Sequence, residues 1–152
     1  MTLERESIIP ASMREIVRDK GYLPALRVGD FVFIAGQVGR DAGLRVIADP
    51  REQFAACFEN LRVVLAEAGC TLGDLVDVTT YHVDLPTHWD TFRAVKRDWF
   101  PAGTPPWTCV GVTALGQAGL LLEVKGTACR PAGSSAPTTD AAGSAPPGAS
   151  AW

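Results

Sequence analysis

The chain has little with which to hold a metal ion. It carries two histidines, His82 and His88, and four cysteines, Cys57, Cys70, Cys109 and Cys129, spaced so widely that no CxxC pair or close Cys/His group forms. A zinc site is therefore not expected. It also lacks a basic excess. Residues 1–130 hold 14 Lys and Arg against 16 Asp and Glu, and the whole chain has a net charge of -3. The bulk electrostatic footprint of a nucleic-acid or anionic-membrane binder is missing. No run of 18 apolar residues is present to span a bilayer. The N-terminal MTLERESIIP carries charges where a signal peptide needs an apolar stretch, so the expectation is a cytoplasmic protein with reduced thiols.

What is present suits one globular domain. The 152 residues are 47% hydrophobic and 20% charged, enough for a single sizeable core and too short for two. The domain is expected to occupy residues 1–130. From 131 to 152 the composition changes: 18 of 22 residues are Ala, Pro, Gly or Ser. Such a segment cannot bury enough apolar surface to offset its ordering entropy, and a disordered tail is predicted.

Within the domain, RESIIP reads as a short opening strand and SMREIVRDKG has helical spacing over few residues. FVFIAG is an apolar, aromatic run typical of a buried strand, entered through the Gly29-Asp30 turn and ended by Gly36. The clearest helix starts at the capping residue Asp49 with Pro50 at its first position, and Phe54, Cys57, Phe58, Leu61, Val64 and Leu65 form its apolar stripe. TLGDLVDVTTYHVDL then switches to period two, with Val76, Val78, Thr80 and His82 on one side and Asp77, Thr79 and Tyr81 on the other. A second helix runs from Thr87, striped by Trp89, Phe92, Val95, Trp99 and Phe100, to Pro101. The order predicts an α+β fold, a single mixed sheet with two helices on one face. The other face needs a cover, and a second subunit is the expected one.

The most informative stretch is 104–129. Pro105 and Pro106 hold the entry extended, and Trp107, Cys109, Gly111 and Thr113 alternate with Thr108, Val110 and Val112 along the strand that follows. A second strand, Leu120 to Cys129, places Glu123 inside the apolar run LLLEVKGTAC. That carboxylate is either solvated at a sheet edge or lines a pocket where a poised acid or base is useful. Cys109 is either a small buried hydrophobe or a reactive thiol, Tyr22 a pocket lid or an interface aromatic, and Trp107 a stacking wall or a plug. His82, on the apolar side of its strand, reads as a hydrogen-bonded core or interface residue, and His88 as a solvated one.

YLPALRVGDFVFIAGQVGRD, FENLRVVLAEAGCTLGDLVDVTTYHVDL and PPWTCVGVTALG followed by LLLEVKGTA resemble the RidA (YjgF) family over roughly residues 5–130. The resemblance implies a chorismate-mutase-like fold and a homotrimer with ligand pockets between adjacent subunits. It implies hydrolysis of reactive enamines and imines to 2-keto acids and ammonia without metal or organic cofactor. Position by position, Tyr22 matches the family's pocket tyrosine and Gly36 the glycine whose backbone faces the substrate. Cys109 matches the pocket cysteine, and Glu123 the glutamate that positions the attacking water. Two positions depart: Ala35 stands where the deaminases usually have serine, and Trp107 where they have the arginine that clamps the substrate carboxylate. An indole offers one N–H, not a rigid fork of donors, so the expected substrate is not the usual carboxylate-anchored one. Arg27 and Lys125 are the candidates for a replacement charge.

Three functions are compatible with these residues. The first is an enzyme that hydrolyses or tautomerises a small imine or enamine, with Glu123 catalytic and Tyr22, Gly36, Trp107 and Cys109 binding the substrate. The second is a metabolite- or partner-binding trimer with no turnover. The third, least favoured, is the ribonuclease or translation inhibitor of the family's older labels, for which the basic surface and a histidine pair suited to acid–base cleavage are lacking.

Overall fold

The computed structural model describes residues 4–131 and 133. The predicted disordered tail lies outside the described residues apart from Pro131 and Gly133. Six strands form one sheet: β1 (Arg5–Ile8), β2 (Ala25–Val28), β3 (Phe31–Val38), β4 (Leu75–Val83), β5 (Trp107–Val112) and β6 (Leu122–Cys129). Three helices accompany them, α1 (Arg14–Lys20), α2 (Pro50–Glu67) and α3 (Leu85–Trp99). The spatial order is β1-β2-β3-β6-β4-β5, antiparallel throughout except for the parallel β4–β5 pair. Helix α3 makes the crossover that a parallel pair requires.

The predicted cap of α2 is present. Asp49 Oδ1 accepts from the Glu52 amide at 2.9 Å, and Pro50 opens the helix. Its stripe of Phe54, Cys57, Phe58, Leu61, Val64 and Leu65 is wholly buried, and α2 packs on β3, β6 and α3. Phe92 and Val95 of α3, Val32 and Ile34 of β3, Val78 of β4 and Leu122, Val124 and Ala128 of β6 complete one core, joined by Met13 and Ile16 at α1. The other sheet face is left open, with Phe31 46%, Phe33 50% and Val110 36% exposed.

Four details differ from the sequence expectation. Strand β3 does not end at Gly36. It continues to Val38 through a bulge, because Ile34 pairs with Gly126 and Gln37 with Val124, leaving Ala35 and Gly36 opposite Lys125 alone. Val76 is not on the buried side of β4. A register shift between Leu75 and Asp77 turns it outward, 44% exposed. Helix α3 begins at Leu85, two residues before Thr87. Arg27 is not available as the replacement charge. It is buried and donates to the carbonyls of Ala68 at 2.5 Å and Arg130 at 3.1 Å, tying β2 to the end of α2.

Candidate active site

Glu123 is flanked on β6 by Leu122 and Val124, both fully buried against the helices, so the pleat turns its own side chain to the open face. There it meets the bulge. A Cβ on Gly36 would collide with the Glu123 carboxylate, and only a glycine leaves the acid its place. Glu123 makes no hydrogen bond and no ion pair within 4 Å among the described residues. Burial pushes its pKa above the ordinary carboxylate value, with the nearby Arg40 guanidinium working in the opposite direction. A half-buried, unpaired carboxylate with a raised pKa suits a water-orienting or proton-shuttling role.

A cavity of about 220 Å³ lies over this carboxylate, lined by Tyr22, Gly36, Val38, Arg40, Gly116, Leu120 and Glu123. Tyr22 enters directly after the left-handed Gly21 that ends α1. Its phenol is shifted upward by burial, lowered by Arg40 and raised by Glu123, which places the three groups within electrostatic reach of one another.

Two polar residues of α2 shape the walls. Gln53, fully buried, donates to the carbonyls of Ile47 at 2.7 Å and Gly119 at 3.0 Å and accepts from the Leu121 amide at 2.6 Å. It pins the loop that carries Leu120. Asn60 donates to the Val38 carbonyl at 2.8 Å. A Cβ on Gly39 would strike the Gln53 backbone carbonyl, so β3 lies tight against α2 just before Arg40.

Trp107 and Cys109 are on the other side of the sheet. Thr80 pairs with Cys109 and Val124, whereas Tyr81 pairs with Val110 and Glu123, so alternation separates the two sets. The Trp107 indole lies edge-on to Phe58, Phe92 and Phe100, with Lys96 Nζ 4.0 Å over its ring. Its N–H donates to Thr80 Oγ1 at 3.0 Å. Thr80 in turn donates to Cys109 Sγ at 3.4 Å and contacts His82 Nε2 at 2.8 Å. With its one proton on the sulfur, Thr80 Oγ1 accepts from both Trp107 and His82, leaving His82 Nδ1 as a buried lone pair without a partner. His82 is 1% exposed, and desolvation lowers its pKa to about 4, so it stays neutral. His88 is half-buried with its ring edge-on to Phe54.

Within one chain, then, the predicted residues Tyr22, Gly36 and Glu123 come together, while Trp107 and Cys109 do not join them. Sequence reasoning missed Arg40, Gln53, Asn60 and the hub Thr80. Gln53 carried a signal, being a polar residue one turn before Cys57 on the apolar stripe of α2. Arg40 carried a fainter one, a cation placed directly after an apolar strand.

Comparison with known proteins agrees with this fold. The model of the family described as Endoribonuclease L-PSP matches residues 13–130. The RutC family protein YjgH of Escherichia coli K12 is 38% identical over 124 residues, covering 81% of this chain and 93% of that protein. The solved structure of protein YJGH superposes with a TM-score of 0.78 at 38% identity, over 84% of this chain and 98% of that one. E. coli TdcF, solved with bound serine, superposes with a TM-score of 0.67 at 27% identity, over 72% and 86% of the two chains. Its name carries the words "reactive intermediate deaminase". With the family model spanning most of the domain and the resemblance of the Tyr22, Gly36 and Glu123 segments pointing the same way, the chain belongs to the Endoribonuclease L-PSP family, the RidA (YjgF) proteins.

Proposed function

We propose that this protein hydrolyses a small reactive imine or enamine. In the imine form, water oxygen adds to the C=N carbon, its protons pass to nitrogen, and the C–N bond breaks to give a carbonyl product and ammonia. Glu123 orients the water and shuttles the proton. The observation that carries the reading is the Glu123 carboxylate itself, seated on Gly36 in a cavity, free of any ion pair and raised in pKa by burial. An electrophilic C=N needs little more than an oriented water and a donor to its nitrogen, and Tyr22, which carries a phenolic donor, lines the same cavity.

The open sheet face supports a homotrimer in which each subunit covers its neighbour. Phe31, Phe33 and Val110 form an apolar surface there, and the edge strand β5, which carries Trp107 and Cys109, lies at its border. In that assembly the Trp107–Cys109 edge of one subunit closes the Tyr22–Glu123 cavity of the next. Sedimentation giving three times the chain mass supports this arrangement, and a monomer at micromolar concentration overturns it.

A binding role without turnover is the second reading, favoured by the packing of Trp107, whose single donor is already spent on Thr80. Ribonuclease action is less well supported: His82 is buried and neutral, and His88 lies against Phe54. The deciding experiment measures ammonia release from freshly generated 2-iminopropanoate and from a neutral imine, with wild type and Glu123→Gln. An enzyme loses roughly 10²- to 10⁴-fold in turnover on this substitution, the range for removing a positioned acid–base group, while ligand affinity is kept. Wild-type protein inert toward both substrates, yet binding a product analogue, establishes the second reading.

A further inference from the structure

Resting on the imine-hydrolysis reading, we propose that Arg40 is the anchor for the substrate's anionic group, so that a carboxylate-bearing imine or enamine is taken at this site despite the tryptophan at position 107. The expectation from Trp107 alone is a less anionic substrate. The structure supplies a different guanidinium, on the Glu123 side of the sheet.

The other cations near the site are committed or misplaced. Arg27 is buried and spends its donors on the carbonyls of Ala68 and Arg130. Lys96 sits over the Trp107 ring on the helix-covered side. Lys125 shares the open face with Glu123 but is exposed and is not among the groups that perturb the Glu123 carboxyl.

Arg40 differs on each count. It lines the same cavity as Tyr22, Gly36 and Glu123. Its Nε–H is buried and finds no acceptor, an arrangement that folded proteins rarely tolerate unless a water or ligand completes it. The carboxylate next to it in sequence, Asp41, is already taken: Oδ1 accepts from the Gly43 and Arg45 amides, and Oδ2 from Arg45 Nε at 2.9 Å. No ion pair within 4 Å links Arg40 to Glu123. The guanidinium therefore keeps its fork of donors for a planar anion.

Its base is nevertheless fixed. Arg40 forms a β-bridge with Val46, the Gly39 carbonyl accepts from the Ile47 amide at 3.2 Å, and Asn60 holds Val38. A charged head on a fixed backbone suits an anchor, because the backbone part of the entropy of placing the cation is already spent by the fold. A carboxylate held by Arg40 shares the cavity with Glu123, and the guanidinium, already felt by the Glu123 carboxyl, offsets the repulsion between the two anions.

The test compares wild type, Arg40→Met, Arg40→Lys, Lys125→Met and Glu123→Gln in two assays. The first is ammonia release from 2-iminopropanoate and from a neutral imine. The second is equilibrium binding of pyruvate against its neutral amide, pyruvamide, which needs no turnover. Arg40→Met is expected to lose roughly 10- to 100-fold in kcat/KM on the carboxylate substrate, mostly through KM, as for a lost hydrogen bond to a charged group. On the neutral imine its loss should be clearly smaller, because there only the effect of Arg40 on the Glu123 carboxyl is removed. Arg40→Lys should recover part of the loss, and Lys125→Met should resemble wild type. In the binding assay Arg40→Met should lose its preference for pyruvate over pyruvamide, while Glu123→Gln keeps it. Loss of pyruvate binding on Arg40→Met in a protein that releases no ammonia supports the anchor and overturns the hydrolase reading. Equal effects of Arg40→Met on charged and neutral ligands, or an effect of Lys125→Met as large, overturn the anchor whatever the activity.

Discussion

The two faces of the sheet treat polar groups in opposite ways. On the helix-covered face, Trp107, Thr80, Cys109 and His82 share one hydroxyl, and only His82 Nδ1 goes without a partner. On the open face, Glu123 and Arg40 share a cavity and leave their hydrogen-bonding capacity unused. A satisfied network rigidifies a core. Charged groups kept apart and unpaired cost free energy until a ligand or partner arrives, which is the expected state of a site before it is filled. The contrast teaches where to look, because a tryptophan and a cysteine that resemble site residues are, within the chain, bound into packing, while the unpaired charges lie elsewhere.

The largest break in this comparison comes from the covered face. Phe58 is fully buried and its ring meets those of Phe92, Trp99, Phe100 and Trp107. Phe58→Ala should cost about 3–5 kcal/mol in chemical denaturation. An effect below 1 kcal/mol would mean that the aromatic layer does not anchor Trp107. Gly36→Ala acts on the open face alone. Its new methyl would displace the Glu123 carboxylate, and catalysis should fall roughly 10- to 100-fold, the scale for a small misplacement of a reacting group. Thermal stability should change little, since Gly36 has no positive φ that alanine must avoid. Thr80→Val strands the Trp107 N–H and the His82 ring nitrogen together, and a loss of about 1–3 kcal/mol is expected for leaving buried donors unsatisfied.

The pH dependence is the most diagnostic test, because the faces should titrate in opposite senses. His82, packed by Phe92 and Thr80, has its pKa lowered to about 4. It contributes stability above pH 6.5 that is lost as the pH falls toward 4. Glu123, facing Arg40 and Tyr22, has its pKa raised. Its contribution is complete below the ordinary glutamate value near 4.5 and is lost as the pH rises through the folded value. Denaturation midpoints across this range should therefore lose their acid slope in His82→Gln and their alkaline slope in Glu123→Gln. If both slopes survive in both variants, neither group is the source.

Much of the fold was legible because its signals are local. The Asp49-Pro50 cap, the three- and four-residue spacing of α2 and the Pro105-Pro106 entry to β5 each act within a turn or two of chain. The resemblance then brought Tyr22, Gly36 and Glu123 to one place, and the structure groups them. What stayed hidden depends on pairing across the sheet. The bulge at Ala35–Gly36 exists only in the β3–β6 register, and the outward turn of Val76 only in that of β4 with β6. Arg40 escaped notice for the same reason: nothing within ten residues of it announces that its side chain shares a cavity with residue 123. Arg27 misled in the other direction, since its turn-like neighbours gave no hint of carbonyls supplied by residues 68 and 130.

The interlock of Gly36 with Glu123 also constrains how this protein can change. Because the acid fills the volume a side chain at position 36 would need, the two positions are not independent variables. A larger residue at 36 is admitted only once the side chain at 123 has shrunk or swung aside, and either way the carboxylate has lost its place. A descendant abandoning this arrangement has two doors, and passing through either removes the penalty for passing through the other. Drift in this family should therefore show the pair lost together, and a chain that keeps the glycine while replacing the glutamate is one caught midway.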